Sequence, residues 1–324
     1  MSDLKAARDK GCEYLLRQIH DDGSFGDGML SDYYKVPAAL QVCGETNAAN
    51  RLLDWIRHNG LSDSGDFGPR TEFTSGYFYS YFNIWVIIGA ARLGQFDIAQ
   101  RGMDFLTGFY DQDSGGFFSD PINRSSETKQ DLWVVSGCGQ AAIYTSRIEI
   151  ALGVGRFMQR MMDQQPNYPE VMYTVSTPSG GLITEVDPTD PIRYVLVNAP
   201  TGDQYFFHPG IAGGFLARLY QATGDPTWLE LARKYMRFAE SANENLYGLL
   251  RAGKVMWAAS VLWTLTQDTK YRDMAAKISH RVVAQQTDQG WWSAVGSEGI
   301  PSNDATAEMV VWLDEAYQAL GQHS

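Results

Sequence analysis

The chain has 324 residues, 44% of them hydrophobic and 13% aromatic, with a formal net charge of −12 at pH 7. That length covers two average domains or one large one, and the apolar content is enough for a sizeable core. The acidic balance excludes nucleic-acid binding, which demands a basic surface, and no basic amphipathic stretch points to an anionic membrane.

Taken in chain order, stretches with an amphipathic helical period fall near 3–19, 46–58, 95–109, 147–164, 226–241 and 270–286. Stretches apolar on nearly every face alternate with them, near 34–43, 75–93, 131–146, 209–223, 252–266 and 304–320. Amphipathic helices face water on one side, whereas helices apolar all round are buried. Between each amphipathic stretch and the apolar one after it lies a break rich in glycine, most with an aromatic: "HDDGSFGD" (20–27), "SDSGDFGP" (62–69), "DQDSGGFFSD" (111–120), "TPSGGLITEV" (177–186), "ENLYGLLRAG" (244–253) and "TDQGWWSAV" (287–295). A repeat of outer helix, glycine turn and inner helix predicts an all-α fold, an (α/α)6 barrel of six helical hairpins, as one domain over 1–324. Small residues on the inner helices, as in "SGCGQAA" (136–142) and "GIAGG" (210–214), allow close backbone approach.

One segment breaks the repeat. Near 165–207 the runs "VMYTVST", "GLITEV" and "RYVLV" are β-rich and separated by Pro, Gly and Asp clusters. They predict a small β-hairpin insertion with a third strand, expected to roof the barrel mouth as a lid.

The first turn carries more than punctuation. Lys10, Gly11, Tyr14, Leu15, Gln18, Gly23 and Phe25 stand in an order that resembles the QW motif of squalene–hopene cyclases. "RGMDFL…GGFF" (101–118) is a partial copy, and "VVAQQTDQGWW" (282–292) keeps the glutamine, glycine and tryptophan. The resemblance implies the toroid architecture of the terpenoid-cyclase and prenyltransferase superfamily. It does not extend to that superfamily's catalytic motifs: DxDD is absent, "DDGSF" does not match DDxxD, and no Cys, His and Asp cluster suits the zinc of prenyltransferase β-subunits. The three cysteines (Cys12, Cys43, Cys138) are scattered and offer neither a disulfide framework nor a zinc knuckle. No phosphate-cradling glycine loop occurs. No metal or cofactor is therefore expected.

In such barrels functional groups gather where the inner helices begin. Those starts supply Asp32, Tyr33, Tyr34 and Lys35; Glu72 with Tyr77 and Tyr81; Asp131, Trp133 and Cys138; Asp203, Tyr205 and His208; Lys254 and Trp257; and Asp304, Glu308 and Trp312. The expected catalytic set is His208, Glu308, Asp32, Tyr34, Asp131, Asp203, Cys138 and Asp304, and the expected binding set is Tyr33, Glu72, Tyr77, Tyr81, Trp133, Tyr205, Trp257 and Trp312. Asp32, Asp131, Asp203 and Asp304 also sit where N-caps belong. Glu308, in "ATAEMVVWL", is expected to be buried with a raised pKa and to serve as an acid. His208 precedes Pro209, a residue suited to a first helical turn, and a helix N-terminus favours neutral imidazole.

These residues point to a metal-independent cyclase, isomerase or (de)hydratase acting on a hydrophobic isoprenoid- or polyketide-like molecule by acid–base chemistry or by folding the substrate. The type of chemistry resembles that of linalool dehydratase-isomerase, at the level of fold alone. The alternative is a carbohydrate-active enzyme of the unsaturated-uronyl-hydrolase or sugar-epimerase type, with Asp131 and Asp203, or Asp32 and Glu308, as the carboxylate pair. A non-catalytic binder of a hydrophobic ligand is the third reading. The expected partners are a small hydrophobic substrate and, at most, copies of the same chain, with no nucleic acid and no stable membrane insertion. The N-terminus "MSDLKAARDKG" lacks the apolar core of a signal peptide, so a cytoplasmic location is expected.

Overall fold

A computed structural model describes residues 2–187, 194–200, 202–242 and 244–321. The outer helices are α1 (Ser2–Leu16), α4 (Thr46–Trp55, continued by a π-helical turn, Ile56–Gly60), α6 (Phe96–Thr107), α8 (Ile148–Asp163), α10 (Pro226–Ser241) and α13 (Thr269–Ala284). The inner ones are α3 (Val36–Val42, preceded by the short α2, Leu30–Tyr33), α5 (Tyr79–Arg92), α7 (Leu132–Tyr144), α9 (Phe207–Thr223), α12 (Gly253–Thr266) and α14 (Asn303–Gly321), with a short α11 (Glu244–Gly248) leading into α12. This is the predicted toroid. The inner helices pack in the circular order α3, α5, α7, α9, α12, α14 and back to α3.

The ring is closed by its ends. Each inner helix also packs on the outer helix that follows it through a short turn: α4 on α3, α6 on α5, α8 on α7, α10 on α9 and α13 on α12. The last inner helix, α14, has no successor, and α1 takes that place. Arg8 of α1, itself buried, seals the seam by an ion pair with Asp314 at 2.5 Å.

The glycine turns explain why the repeat exists. Gly23, Gly65, Gly115 and Gly290 all have positive φ, and each lies against a carbonyl of the next outer helix: Arg51, Arg101, Gly153 and, across the closure, Lys10. A Cβ there would meet backbone oxygen, so only glycine lets the turn seat. The aromatic two residues on, Phe25, Phe67, Phe117 or Trp292, is fully or almost fully buried beneath the turn. Gln286, the glutamine of the last turn, donates to the carbonyls of Ala7 and Gly290, each at 2.9 Å, tying it to α1. The cyclase-like motif is thus the joint between neighbouring hairpins.

Every residue of α12 from Gly253 to Trp263 is buried, as its all-round apolar pattern requires, Lys254 included. Close approach of α9 and α12 depends on Gly210, where a Cβ would run into the Lys254–Val255 peptide.

The insertion contains β2 (Val171–Tyr173), β3 (Val175–Thr177), β4 (Gly181–Leu182) and β5 (Val195–Val197); β1 is Gln130–Asp131, just before α7. The order β1-β3-β4 and the pair β2-β5 are antiparallel. Part of the expected lid, 188–193 and 201, lies outside the described residues. The described strands dock on the start of α7, where the Leu132 amide donates to the Thr174 carbonyl. Among the described residues, no helix is long and apolar enough to cross a membrane.

Candidate active site at the mouth of the barrel

At the N-terminal ends of the inner helices lies a cavity of about 370 Å³. A row of alternating charges runs along it: Asp304, Lys35, Glu308, Lys254. Asp304, Glu308 and Trp312 are spaced four residues apart on α14, so helical geometry stacks them on one face. Lys35 comes from the α2–α3 junction and Lys254 from the first turn of α12. Lys35 Nζ lies 2.6 Å from Asp304 Oδ1 and also binds Glu308 Oε2, while Lys254 binds Glu308 Oε1. Trp312 Nε1 donates to Glu308 Oε1 at 3.1 Å, and the Tyr34 hydroxyl donates to Asp304 Oδ1.

The electrostatics of this row reverse one expectation. Burial alone would raise the Glu308 pKa, but the Lys254 and Lys35 ammoniums and their hydrogen bonds outweigh it and hold the carboxylate well below its ordinary value. Glu308 is therefore an ionised anchor, not the buried acid the sequence suggested. Burial likewise works to discharge Lys35, and the charges of Asp304 and Glu308 overcome it, raising its pKa. Burial and the neighbouring Asp304 charge push the Tyr34 phenol up.

Aromatic rings form the wall. Trp133 lies 4.4 Å from each of Tyr81, Phe78 and Phe207, centroid to centroid. The Lys254 ammonium sits 5.3–5.8 Å from the rings of Phe207, Tyr81 and Trp133, and that of Lys35 5.0–5.6 Å from Tyr34, Trp85 and Tyr81. Cation–π attraction of this kind offsets part of the cost of burying both amines. At the rim, Arg251 Nε binds both oxygens of Asp203 at 2.7 and 2.9 Å, with the guanidinium over the Tyr205 ring.

Of the expected residues, Tyr34, Tyr81, Trp133, Tyr205, Asp304 and Glu308 line this cavity. His208 does not. It is fully buried, its Nδ1 facing the Tyr205 carbonyl at 3.0 Å and its Nε2 lying 3.5 Å from Asp131 Oδ1. Asp131 is the N-cap of α7, accepting from the Trp133 amide at 2.8 Å. Asp32 receives the Asp27 amide and holds the first turn; Tyr33 donates to the Gly68 carbonyl beneath the second. Cys138 is fully buried in α7, its thiol pushed up by burial. Glu72 is exposed ahead of a 3-10 turn, and Tyr77 packs edge-on to Phe78 outside the cavity lining. Trp257 and Trp312 stack at 4.8 Å deeper in the barrel, lining a smaller space of about 40 Å³ that Tyr81 and Lys254 also border. Neither carboxylate pair forms as expected: Asp131 turns to His208, Asp203 to Arg251, and Asp32 lies off the cavity that Glu308 lines.

The residues that sequence reasoning underused are Lys35 and Lys254. A lone lysine in "GKVMWAASVLW" had to be buried, and a buried lysine requires a carboxylate partner; pairing it with Glu308 needed the fold. Among the described residues, no group of three His, Cys, Asp or Glu side chains could hold a metal ion.

No protein-family model matches the chain, and no curated protein matches it in sequence. Solved structures match its fold along nearly the whole length. A D-mannose isomerase superposes with a TM-score of 0.70 at 13% identity, covering 97% of each chain. A family 76 alpha-1,6-mannanase from Salegentibacter sp. reaches 0.67 at 12% identity, covering 98% of this chain and 99% of that one. An unsaturated glucuronyl hydrolase specific for heparin reaches 0.64 at 12% identity, covering 98% and 97%. The fold is thus the α/α toroid, which this chain shares with these three carbohydrate-active enzymes. This overturns the expectation of an isoprenoid or polyketide cyclase, since the matching structures are of sugar-active enzymes; the QW-like turns seat one hairpin of the toroid on the next and say nothing of the substrate.

Proposed function

We propose that the chain is a carbohydrate-active enzyme that moves a proton on a bound sugar, in the manner of an isomerase or epimerase. A cavity of about 370 Å³ suits a monosaccharide or a short saccharide, and its aromatic faces suit the apolar faces of sugar rings. The likeness in fold to D-mannose isomerase supports the same reading.

The observation that carries the choice of reaction is the charge row. Glycoside hydrolysis requires two carboxyl groups on opposite sides of the scissile bond, one of them protonated. Here the two carboxylates lining the cavity, Asp304 and Glu308, share Lys35 and sit on one helix face, and Glu308 is held ionised. Proton transfer beside a carbonyl needs instead a base and a cation for the developing oxyanion. Carboxylate and ammonium stand side by side in this row.

The test is proton NMR in D2O with D-mannose, D-glucose, N-acetyl-D-glucosamine and cellobiose. The expected result is enzyme-dependent deuterium incorporation at the carbon beside the sugar carbonyl. Release of a new reducing end with no deuterium at that carbon would move the assignment to a hydrolase.

A further inference from the structure

His208 is buried outside the cavity lining, and the carboxylates and ammoniums that line the cavity are those of the charge row. We infer that Asp304 is the base and Lys254 the oxyanion partner of a single-base aldose–ketose isomerisation, an assignment that rests on the sugar isomerase or epimerase reading.

The four members of the row are not equivalent. Glu308 is committed: two ammoniums and the Trp312 indole bind it, and its basicity is correspondingly low. Lys35 is committed too, lying between Asp304 and Glu308. The ends of the row differ. Asp304 has 44% of its side chain exposed; its Oδ1 takes both Tyr34 and Lys35, and Oδ2 has no protein hydrogen bond among the described residues. Lys254 binds a single carboxylate oxygen, and its nitrogen is otherwise surrounded by Tyr81, Trp133 and Phe207. An ammonium has three donors, so two remain for a ligand oxygen. Tyr34 and Lys35 hold the Asp304 carboxylate in place, and Glu308 does the same for Lys254.

In the forward step Asp304 Oδ2 takes the hydrogen from C2 of an open-chain aldose. The C2–H electron pair becomes the C1–C2 double bond, and the carbonyl pair moves onto O1, whose charge Lys254 meets by giving it a proton. The same ammonium nitrogen then takes the hydroxyl proton from O2, and Asp304 returns its proton to C1. The product is the ketose, with every proton accounted for and no external oxidant. One carboxylate works on one face of the planar enediol, so 1,2-transfer is favoured over inversion at C2, which requires delivery from the opposite face.

The experiment uses the intact chain and the sugar that shows exchange in the D2O screen. Asp304→Asn should lower the exchange rate at least 100-fold, within the range for losing a general base, with KM changed less than threefold. Asp304→Glu should keep measurable rate. Lys254→Met should cost 100- to 1,000-fold, and Lys254→Arg less. Because a folding defect would mimic these losses, each variant is read beside its melting temperature. With sugar labelled by deuterium at C2, part of the label should reappear at C1 of the ketose, a signature of one base that a structural role would not produce. The assignment fails if folded Asp304→Asn exchanges within tenfold of the parent, or if folded His208→Asn abolishes exchange while Asp304→Asn does not. A parent protein that exchanges no sugar, or that only hydrolyses, sinks the functional reading itself and the assignment with it.

Discussion

Replacing Glu308 with glutamine tests whether the charge row is built as described. The substitution keeps shape and removes one negative charge between two buried lysines. Lys35 keeps Asp304, but Lys254 loses its carboxylate. Removing one partner of a buried ion pair costs about 3–5 kcal/mol, and the retained amide oxygen places the cost near the lower end. At about 2.1 cal/mol/K per residue, a chain of 324 residues unfolds with an entropy of roughly 0.7 kcal/mol/K, so the melting temperature should fall by about 4–7 °C. The pH dependence has a definite sign. The Glu308 carboxylate is depressed from its ordinary 4.5, so its contribution is fully present above pH 4.5 and is lost as pH falls toward the folded value. The gap between parent and Glu308→Gln should be flat from pH 6 to 8 and should shrink below pH 4.5. Lys35, with its pKa raised, contributes in the opposite sense: its share is present below 10.5 and is lost above it. Calorimetric melts of both proteins across pH 3–8 decide the matter. Melting within 2 °C of the parent at pH 7, or a gap at pH 3 equal to that at pH 7, would refute the account of Glu308 as an ionised anchor. Glu308→Leu combined with Lys254→Met should recover at least half of the loss, since it removes one charge of each sign.

Three further outcomes follow from other parts of the molecule. His208→Asn removes the partner facing the buried Asp131 at a residue that packs behind Tyr205 and Phe207 and does not itself line the cavity; it should cost about 1–3 kcal/mol by thermal melting and leave sugar exchange within threefold. Gly290→Ala places a methyl on the Lys10 carbonyl at φ +97° and should cost about 2 kcal/mol or more at the ring closure, whereas Gly44→Ala, at φ +84° in open space, should cost about 1 kcal/mol; urea titrations separate the two. Arg251→Ala breaks a partly exposed pair with Asp203, so stability should change by less than about 1 kcal/mol while KM for the sugar rises several-fold in steady-state assays.

The architecture was legible because it is written in local patterns. Helical period, all-round apolarity and glycine-aromatic breaks are properties of short stretches, and they placed the outer and inner helices within a few residues of where they stand. The largest departures have local causes: the first inner helix divides ahead of Pro37, and the second begins at Tyr79 after a 3-10 turn, not near 75. The cyclase resemblance was correct about the toroid and misleading about the substrate, because the residues that carry it seat one hairpin on the next.

The site was legible only as a list of candidates at helix starts. Which of them meet depends on the rotation of each inner helix about its own axis, a quantity set by packing around the ring. A few tens of degrees decide that Glu308 faces Lys35 and Lys254 from two other helices, while His208, at the start of an inner helix as expected, turns behind Trp133 and Phe207 to Asp131. The sequence by itself determined the toroid, through local periodicity and burial. Only the tertiary structure decided the charge row, because Lys35, Lys254 and Glu308 are more than fifty residues apart and are joined by nothing but the closure of the ring.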